Sequence, residues 1–308
     1  MEKFEIIDIP EYKYESLEQL GTKRKFWYTD DSDNVKKLFK IGRLNTGENW
    51  VEVVVSKICE MLDIPHAKYE FAKWNNINGT TSTSFVPPNS RLVHGNELLA
   101  KIYKLKHEDN KYPVDVYKVR KYQLKLIIEI LSKAKKIKLP IGYLNEDMYS
   151  SHDVFMSYIM LDCLISNPDR HHENWGLIMY ENNVYLAPTY DHASGLGCRE
   201  SDAKKEERLK TKDSGFTVSS FVKKAKTPFH QHDKNVTTID AFKMCANTNK
   251  NIADYWLSKL ENLDICEVRE VFNKVPKDYI SDTSIEFAIK ILEENKKRLI
   301  KIKEELSK

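Results

Sequence analysis

No two of the five cysteines (Cys59, Cys163, Cys198, Cys245 and Cys266) form a C-x-x-C pair, and their number is odd. That spacing excludes a disulfide framework and a closely spaced zinc site, and it favours reduced thiols in a cytoplasmic protein. The N-terminal stretch M-E-K-F-E-I-I-D-I-P-E-Y-K-Y-E lacks the basic-then-apolar order of a secretory signal. No uninterrupted apolar run nears the roughly 20 residues that span a bilayer, so no membrane partner is expected. An excess of one charge is missing too: 49 Lys and Arg stand against 46 Asp and Glu, for a net charge of +3. Such a balance supplies no electrostatic reason to expect direct nucleic-acid binding. There is no internal repeat.

What is present is a chain of 308 residues, 41% hydrophobic and 31% charged, enough for one large or two modest domains with substantial cores. Strand-like runs come first: Phe4–Ile9, Lys25–Tyr28 and Val35–Ile41, the last two parted by the turn Asp30–Asn34. Trp50, Val54, Ile58 and Leu62 recur at helical spacing, and Pro65 closes that helix. A hairpin of Ala67–Trp74 and Thr80–Val86 is expected around the turn Asn75–Gly79. Pro87-Pro88-Asn89-Ser90 then breaks the pattern and marks a connector, roughly Val86 to Asn96. The expected organisation is therefore α+β and two-lobed: a β-rich lobe over 1–90 and a mostly helical lobe over 91–308.

In the second part, Val119, Tyr122, Leu126, Ile130 and Leu131 form one amphipathic stripe, and Val154, Phe155, Tyr158, Ile159, Asp162 and Ile165 form another. Helices are also expected over Thr238–Asn247, Ile252–Leu260 and Ser281–Leu306. The stretch Arg199–Phe221 is dense in charges of both signs and reads as a solvated, mobile surface segment.

Chemistry concentrates between Ser166 and Asp191. Asp169 precedes Asn174 by five positions, and two β-like runs, Trp175–Met179 and Val184–Leu186, return the chain to Asp191 through the turn Glu181-Asn182-Asn183. Phosphoryl transfer requires one carboxylate to accept the proton of the attacking hydroxyl, with an amide oxygen and a second carboxylate to hold Mg²⁺. The D-x-x-x-x-N spacing is the one a kinase catalytic loop uses. Upstream, the basic loop Gly21-Thr22-Lys23-Arg24-Lys25 can aim backbone N–H groups and lysines at phosphates, although an ordinary solvated turn has the same composition. Lys40 ends an apolar strand, and Glu52 lies in the first turn of the following helix, within reach of it if that helix packs on the sheet. The bland reading of the pair is a strand-edge charge and a carboxylate favouring a helix N-terminus.

Taken together, these residues resemble the HipA-like serine/threonine kinases of bacterial toxin–antitoxin systems. The resemblance is carried by G-T-K-R-K (Gly21 to Lys25), F-K-I around Lys40, V-E-V around Glu52, H-G-N-E-L-L (His94 to Leu99), N-P-D-R-H-H-E-N (Asn167 to Asn174) and L-A-P-T-Y-D (Leu186 to Asp191), in that order. It implies a two-lobed protein-kinase-like fold, ATP and Mg²⁺ as cofactors, and a protein substrate, with an antitoxin protein as a further partner. It implies Asp169 as catalytic base, Asn174 and Asp191 as metal ligands, and Lys40 as a phosphate clamp paired with Glu52. Gly21, Thr22, Lys23 and Lys25 would cradle phosphates, and His171 would brace the loop. Two departures stand out: the chain begins close to the kinase strands, as a core-only member would, and Thr22 is the only hydroxyl in the phosphate loop.

Three rivals remain open on sequence. A phosphatidylinositol or small-alcohol kinase shares the D-R-H-x-x-N string. A metal-dependent phosphohydrolase would draw ligands from His152, Asp153, Asp169, His171, His172, Asp191 and His192. A catalytically idle nucleotide-binding regulator would keep the same loops. His230-Gln231-His232 reads as a solvated polar loop.

Overall fold

The architecture is described from a computed structural model covering residues 2–17, 24–31, 33–106, 122–134, 136–148 and 150–306. The chain opens with β1 (Ile6–Ile9), β2 (Ser16–Leu17), β3 (Lys25–Thr29) and β4 (Lys36–Lys40), then α1 (Glu48–Leu62), β5 (Tyr69–Trp74) and β6 (Ile77–Thr83). There follow β7 (Arg91–His94), α2 (Gly95–Lys106), α3 (Leu124–Lys133), β8 (Ile137–Lys138), α4 (Ser151–Leu164), β9 (Gly176–Tyr180) and β10 (Asn183–Leu186). The remainder is α5 (Asp202–Lys210), α6 (Val218–Lys224), β11 (Lys226–Gln231), β12 (Lys234–Thr237), α7 (Thr238–Ala246), α8 (Lys250–Asn262), α9 (Ile265–Lys274) and α10 (Asp282–Leu306). The fold class is α+β.

These elements form two compact units. The first comprises Met1–Phe85, Asp191–Val222 and Leu263–Glu294; the second comprises Val86–Tyr190, Lys223–Asn262 and Asn295–Lys308. The first boundary falls within the Pro-rich connector, but the units are interleaved along the chain, so a single cut at residue 90 captures only the opening segment of the first.

The first unit is built on a six-stranded sheet in the order β1-β5-β6-β4-β3-β2, antiparallel except for the β1–β5 pair. Phe26, Tyr28, Phe39, Ile9 and Ala72 cluster in it, because alternate strand positions share a face. Helix α1 buries Val51, Val54, Val55, Ile58 and Leu62. The late segment joins this unit through aromatic contacts: Trp50 meets Phe272 of α9 at 5.8 Å, and Phe71 meets Tyr279 edge-on at 4.5 Å. The hairpin between β5 and β6 is tighter than the sequence suggests. Its loop is Asn75-Asn76 alone, both at positive φ, a type I′ turn, and Ile77, Asn78 and Gly79 belong to β6.

The second unit contains the four-stranded sheet β7-β9-β10-β8 and the hairpin β11–β12. Glu181-Asn182 and His232-Asp233 repeat the I′ geometry, with positive φ at both residues of each pair. In α3 the buried face is Leu124, Ile127, Ile128 and Leu131, not the face through Leu126 and Ile130; Val119 lies outside the described residues. Every residue of α4 is buried, so it is a core helix rather than an amphipathic one.

Two further expectations need correction. Arg199–Phe221 lies largely at the surface, as expected, but it is not without structure: it contains α5 and most of α6. Ser201 caps α5, Lys205 is buried against Ser284 (2.6 Å), and the Arg208 guanidinium stacks on Phe216 and Phe221. Long charged side chains here cover apolar surface, which a tally of core-forming residues overlooks. His230 is likewise not solvated. It is buried in β11, where its backbone N–H donates to the Tyr122 carbonyl at 2.9 Å.

Candidate active site

In the first unit, Lys40 ends β4, where the strand ladder pairs it with Lys25 on one side and Thr80 on the other. The neighbouring Gly79 has to be glycine for space, since a Cβ there would collide with the Lys40 carbonyl and the Phe39 ring. The Lys40 side chain is 10% exposed, and its Nζ lies 3.5 Å from Glu52 Oε1, 3.3 Å from Tyr69 Oη and 3.9 Å from Asp191 Oδ1. Glu52 is buried on α1, and its other oxygen accepts the His192 N–H at 2.9 Å. Tyr69 Oη accepts the Asp191 N–H at 3.2 Å. One lysine, two carboxylates and one phenol thus form a single cluster.

Burial opposes the Lys40 ammonium, but Asp191, then Tyr69 and Glu52, outweigh it and raise its pKa well above the ordinary value. Burial pushes the Tyr69 phenol far above its usual range, and Glu52 adds to that, so Tyr69 remains neutral. Asp191 itself sits at φ +58°, in the left-handed region, with its side chain 32% exposed. Lys25 is present at the start of β3, while Gly21, Thr22 and Lys23 lie outside the described residues.

In the second unit, α4 begins with a capping box between Ser150 and Asp153 and runs into the Ser166–Asn174 loop. The loop is organised by Arg170, which is fully buried. Its Nε and Nη2 form a two-pronged pair with Asp162 of α4 (2.7 and 2.8 Å), and Nη1 donates to the Asn174 carbonyl at 2.6 Å. Nη1 also lies 3.5 Å from the Tyr190 carbonyl, so the guanidinium ties the start of the loop to the residue that directly precedes Asp191. Asn167 adds a 2.8 Å bond to Asp162, and Tyr122 Oη donates to the Arg170 carbonyl at 2.8 Å.

Asp169 is 16% exposed at its side chain and stands 3.9 Å from His171 Nε2. Asn174 Nδ2 donates to the Asp169 carbonyl at 2.7 Å, which leaves the amide oxygen as the group available to a cation. His171 bonds within the loop: its N–H donates to the Asp169 carbonyl, its carbonyl accepts from Asn174 N, and its Nδ1 accepts from Glu173 N. His172 is buried, and that burial, helped by His171, lowers its pKa to about 4. The H-G-N-E motif backs the loop. Gly95 N donates to Trp175 O and Asn96 N to His172 O, and a Cβ at Gly95 would strike the Trp175 ring.

Tyr69, Arg170 and Asp162 were not among the sequence candidates for these roles. A signal for Asp162 existed, because a charged residue inside an apolar stripe demands a buried partner, which Arg170 supplies. Tyr69 left none. Two of the residues that a phosphohydrolase would recruit are engaged in structure: Asp153 caps α4, and His152 Nε2 contacts Thr248 Oγ1 at 3.1 Å. Among the described residues, no group of three or more His, Cys, Asp or Glu side chains is placed to hold a metal ion. No helix among them is long and apolar enough to cross a membrane.

The sequence matches no family model and no curated protein. Solved structures do match. The crystal structure of the Helicobacter pylori proinflammatory kinase CtkA is similar with a TM-score of 0.73 at 17% identity, over 98% of this chain and 99% of that one. The Shewanella oneidensis MR-1 toxin–antitoxin complex of HipA, HipB and operator DNA is similar with a TM-score of 0.57 at 11% identity, over 94% of this chain and 67% of that one. This chain therefore shares its α+β fold with these two proteins.

Proposed function

We propose that the protein is an ATP-dependent serine/threonine protein kinase of the HipA type. The observation that carries this reading is the buried cluster of Lys40, Glu52, Tyr69 and Asp191, found on a fold shared with a kinase. A lysine kept cationic in a buried site is of little use to core packing, but it suits an anionic nucleotide. The donor chemistry fits a magnesium nucleotide as well: the Asn174 amide oxygen and the Asp191 carboxylate are hard oxygen ligands of the kind Mg²⁺ prefers. ATP with Mg²⁺ supplies the phosphoryl group.

In this reading the chain's own residues orient and neutralise. Lys40, held by Glu52 and Tyr69, clamps phosphate oxygens together with Lys25 and the Gly21-Thr22-Lys23 loop. Asp169 accepts the proton of the acceptor hydroxyl, and the Arg170–Asp162 pair together with His171 fixes the loop from which it acts. The HipA neighbour occurs with HipB, and by analogy this chain acts as a toxin component with an antitoxin protein as partner, in the cytoplasm.

The test is incubation of the purified protein with labelled ATP and Mg²⁺, alone and with a cell lysate. Label should appear on serine or threonine of the protein itself or of a lysate protein. Asp169→Asn should abolish transfer while nucleotide still binds. Transfer to lipid or to a small alcohol instead would overturn the protein-kinase assignment.

A further inference from the structure

In the second unit, His94 lies beside the Ser166–Asn174 loop without belonging to it. It closes β7, where the ladder sets it opposite Gly176 of β9, and it stands directly before Gly95, the first residue of α2. Its backbone N–H donates to Glu97 Oε1 at 3.3 Å, in the first turn of that helix. Its ring is turned to the loop. Nδ1 is 2.9 Å from the Glu173 carbonyl oxygen and 3.0 Å from Tyr190 Oη, and the Tyr190 hydroxyl itself donates to that carbonyl at 2.8 Å. The His94 and Tyr190 rings meet edge-on, with centroids 6.2 Å apart.

These distances fix where the imidazole hydrogen sits. A carbonyl oxygen only accepts, so a bare Nδ1 at 2.9 Å would set two lone pairs against each other; the hydrogen is on Nδ1. The Tyr190 hydrogen already points at the same carbonyl, which leaves the phenol oxygen to accept from the imidazole N–H. The Glu173 carbonyl belongs to the same planar peptide as the Asn174 N–H, which donates to the His171 carbonyl at 2.9 Å. One end of that plane is thus held from within the loop, and the other by His94 and Tyr190 from outside it. Turning the plane would swing the Asn174 Cα and carry its amide oxygen with it. Arg170 holds the carbonyl of the next peptide, so its grip does not substitute for this one.

We propose that His94, through its Nδ1–H, is a positioning residue for the magnesium nucleotide: it fixes the peptide plane from which Asn174 presents its amide oxygen. The inference rests on the kinase reading, in which Asn174 is a metal ligand. Its chemical content is the place of a single donor. An Asn at position 94 can put an N–H where Nδ1 stands, because both nitrogens are bonded to Cγ. A Gln carries its amide one bond further, at the place of Nε2, and cannot.

The experiment has two arms, both on the full chain. Long-range proton–nitrogen NMR correlation of histidine-labelled protein, with the His94 signals assigned by their loss in His94→Asn, should show the hydrogen on Nδ1. A hydrogen on Nε2 alone overturns the proposal, whether or not nucleotide binds. In calorimetric titration with ATP, His94→Gln should bind about tenfold more weakly than the parent with Mg²⁺ present and equally well without it. His94→Asn should recover most of that loss. Equal weakening in both variants, or a loss indifferent to Mg²⁺, would make His94 a packing residue; it overturns this inference and leaves the kinase reading standing. A folded parent that binds no Mg-nucleotide overturns the kinase reading, and the role of His94 with it.

Discussion

Asp191 holds a backbone conformation that an L-residue adopts at some cost, φ +58°, and its side chain helps to keep the Lys40 ammonium charged. The two properties can be separated. Asn tolerates the left-handed region as well as Asp does, so Asp191→Asn should fold normally and melt within a few degrees of the parent. It should nevertheless lose Mg-nucleotide affinity by about tenfold or more, read by calorimetry with and without Mg²⁺. Equal binding by the variant would remove Asp191 from the proposed ligand set. His66 behaves differently. Burial lowers its pKa from the ordinary 6.5, while its Nδ1 bonds the Ile64 carbonyl at 2.7 Å. The unfolded chain therefore takes up this proton before the folded one does, and stability should fall as the pH drops below about 6.5. Urea unfolding at pH 7.5 and at pH 5.5 should show that loss, and it should be smaller in His66→Gln. At this scale the Lys40–Glu52 pair was readable because charge at the end of an apolar strand and at the start of a helix is conspicuous. Tyr69 was not, since a tyrosine in a strand is ordinary until its hydroxyl is seen to touch both Lys40 and Asp191.

Between residues and the whole chain, the element that matters most is α4 with the loop that follows. A helix buried on every face carries no amphipathic signature, so its length was readable from sequence and its surroundings were not. The loop stands out in the sequence through the polar run from Asp169 to Asn174, the residues to which the kinase reading assigns base and metal ligand. Its construction depends on the Arg170–Asp162 pair, both members of which are nearly inaccessible to solvent. Removing one member strands a buried charge, so Arg170→Ala should cost about 3–5 kcal/mol in chemical denaturation. Replacing both, Arg170→Met with Asp162→Leu, should recover much of that stability because no lone charge is left behind. The double variant should still transfer phosphoryl poorly, since the guanidinium that bridges the Asn174 and Tyr190 carbonyls would be gone. Recovery of activity together with stability would show that the pair serves packing alone. The I′ turns follow the same logic of partial legibility: Asn75, Asn76 and Asn182 are permissive for positive φ, but neither Asn75-Asn76 nor Glu181-Asn182 has the Asn-Gly pairing that would have announced a two-residue loop.

Across the whole molecule, the connector near Val86 was visible because prolines interrupt a strand locally, whereas the return of Leu263–Glu294 to the first unit was not. That return rests on ring contacts of Trp50 with Phe272 and of Phe71 with Tyr279, between positions more than two hundred residues apart, and no local pattern encodes them. The interleaving has a consequence that the cysteines can report. Cys59 and Cys198 are buried in the first unit, Cys163 and Cys245 in the second, and Cys266 is exposed on α9. Burial pushes the Cys163 thiol up to about 12 and the Cys245 thiol higher still, so neither supplies thiolate to an alkylating reagent at pH 8. In the native protein a thiol reagent should therefore consume one equivalent quickly, and Cys266→Ser should abolish that phase. Cys163 on α4 and Cys245 on α7 come from segments that close a single unit, so rising denaturant should release them together even though 82 residues separate them (245 − 163). Mass mapping of the alkylated sites at intermediate denaturant checks this. If Cys245 became reactive well before Cys163, the segment Lys223–Asn262 would be opening on its own, and the second unit would not be the cooperative body that its buried contacts describe.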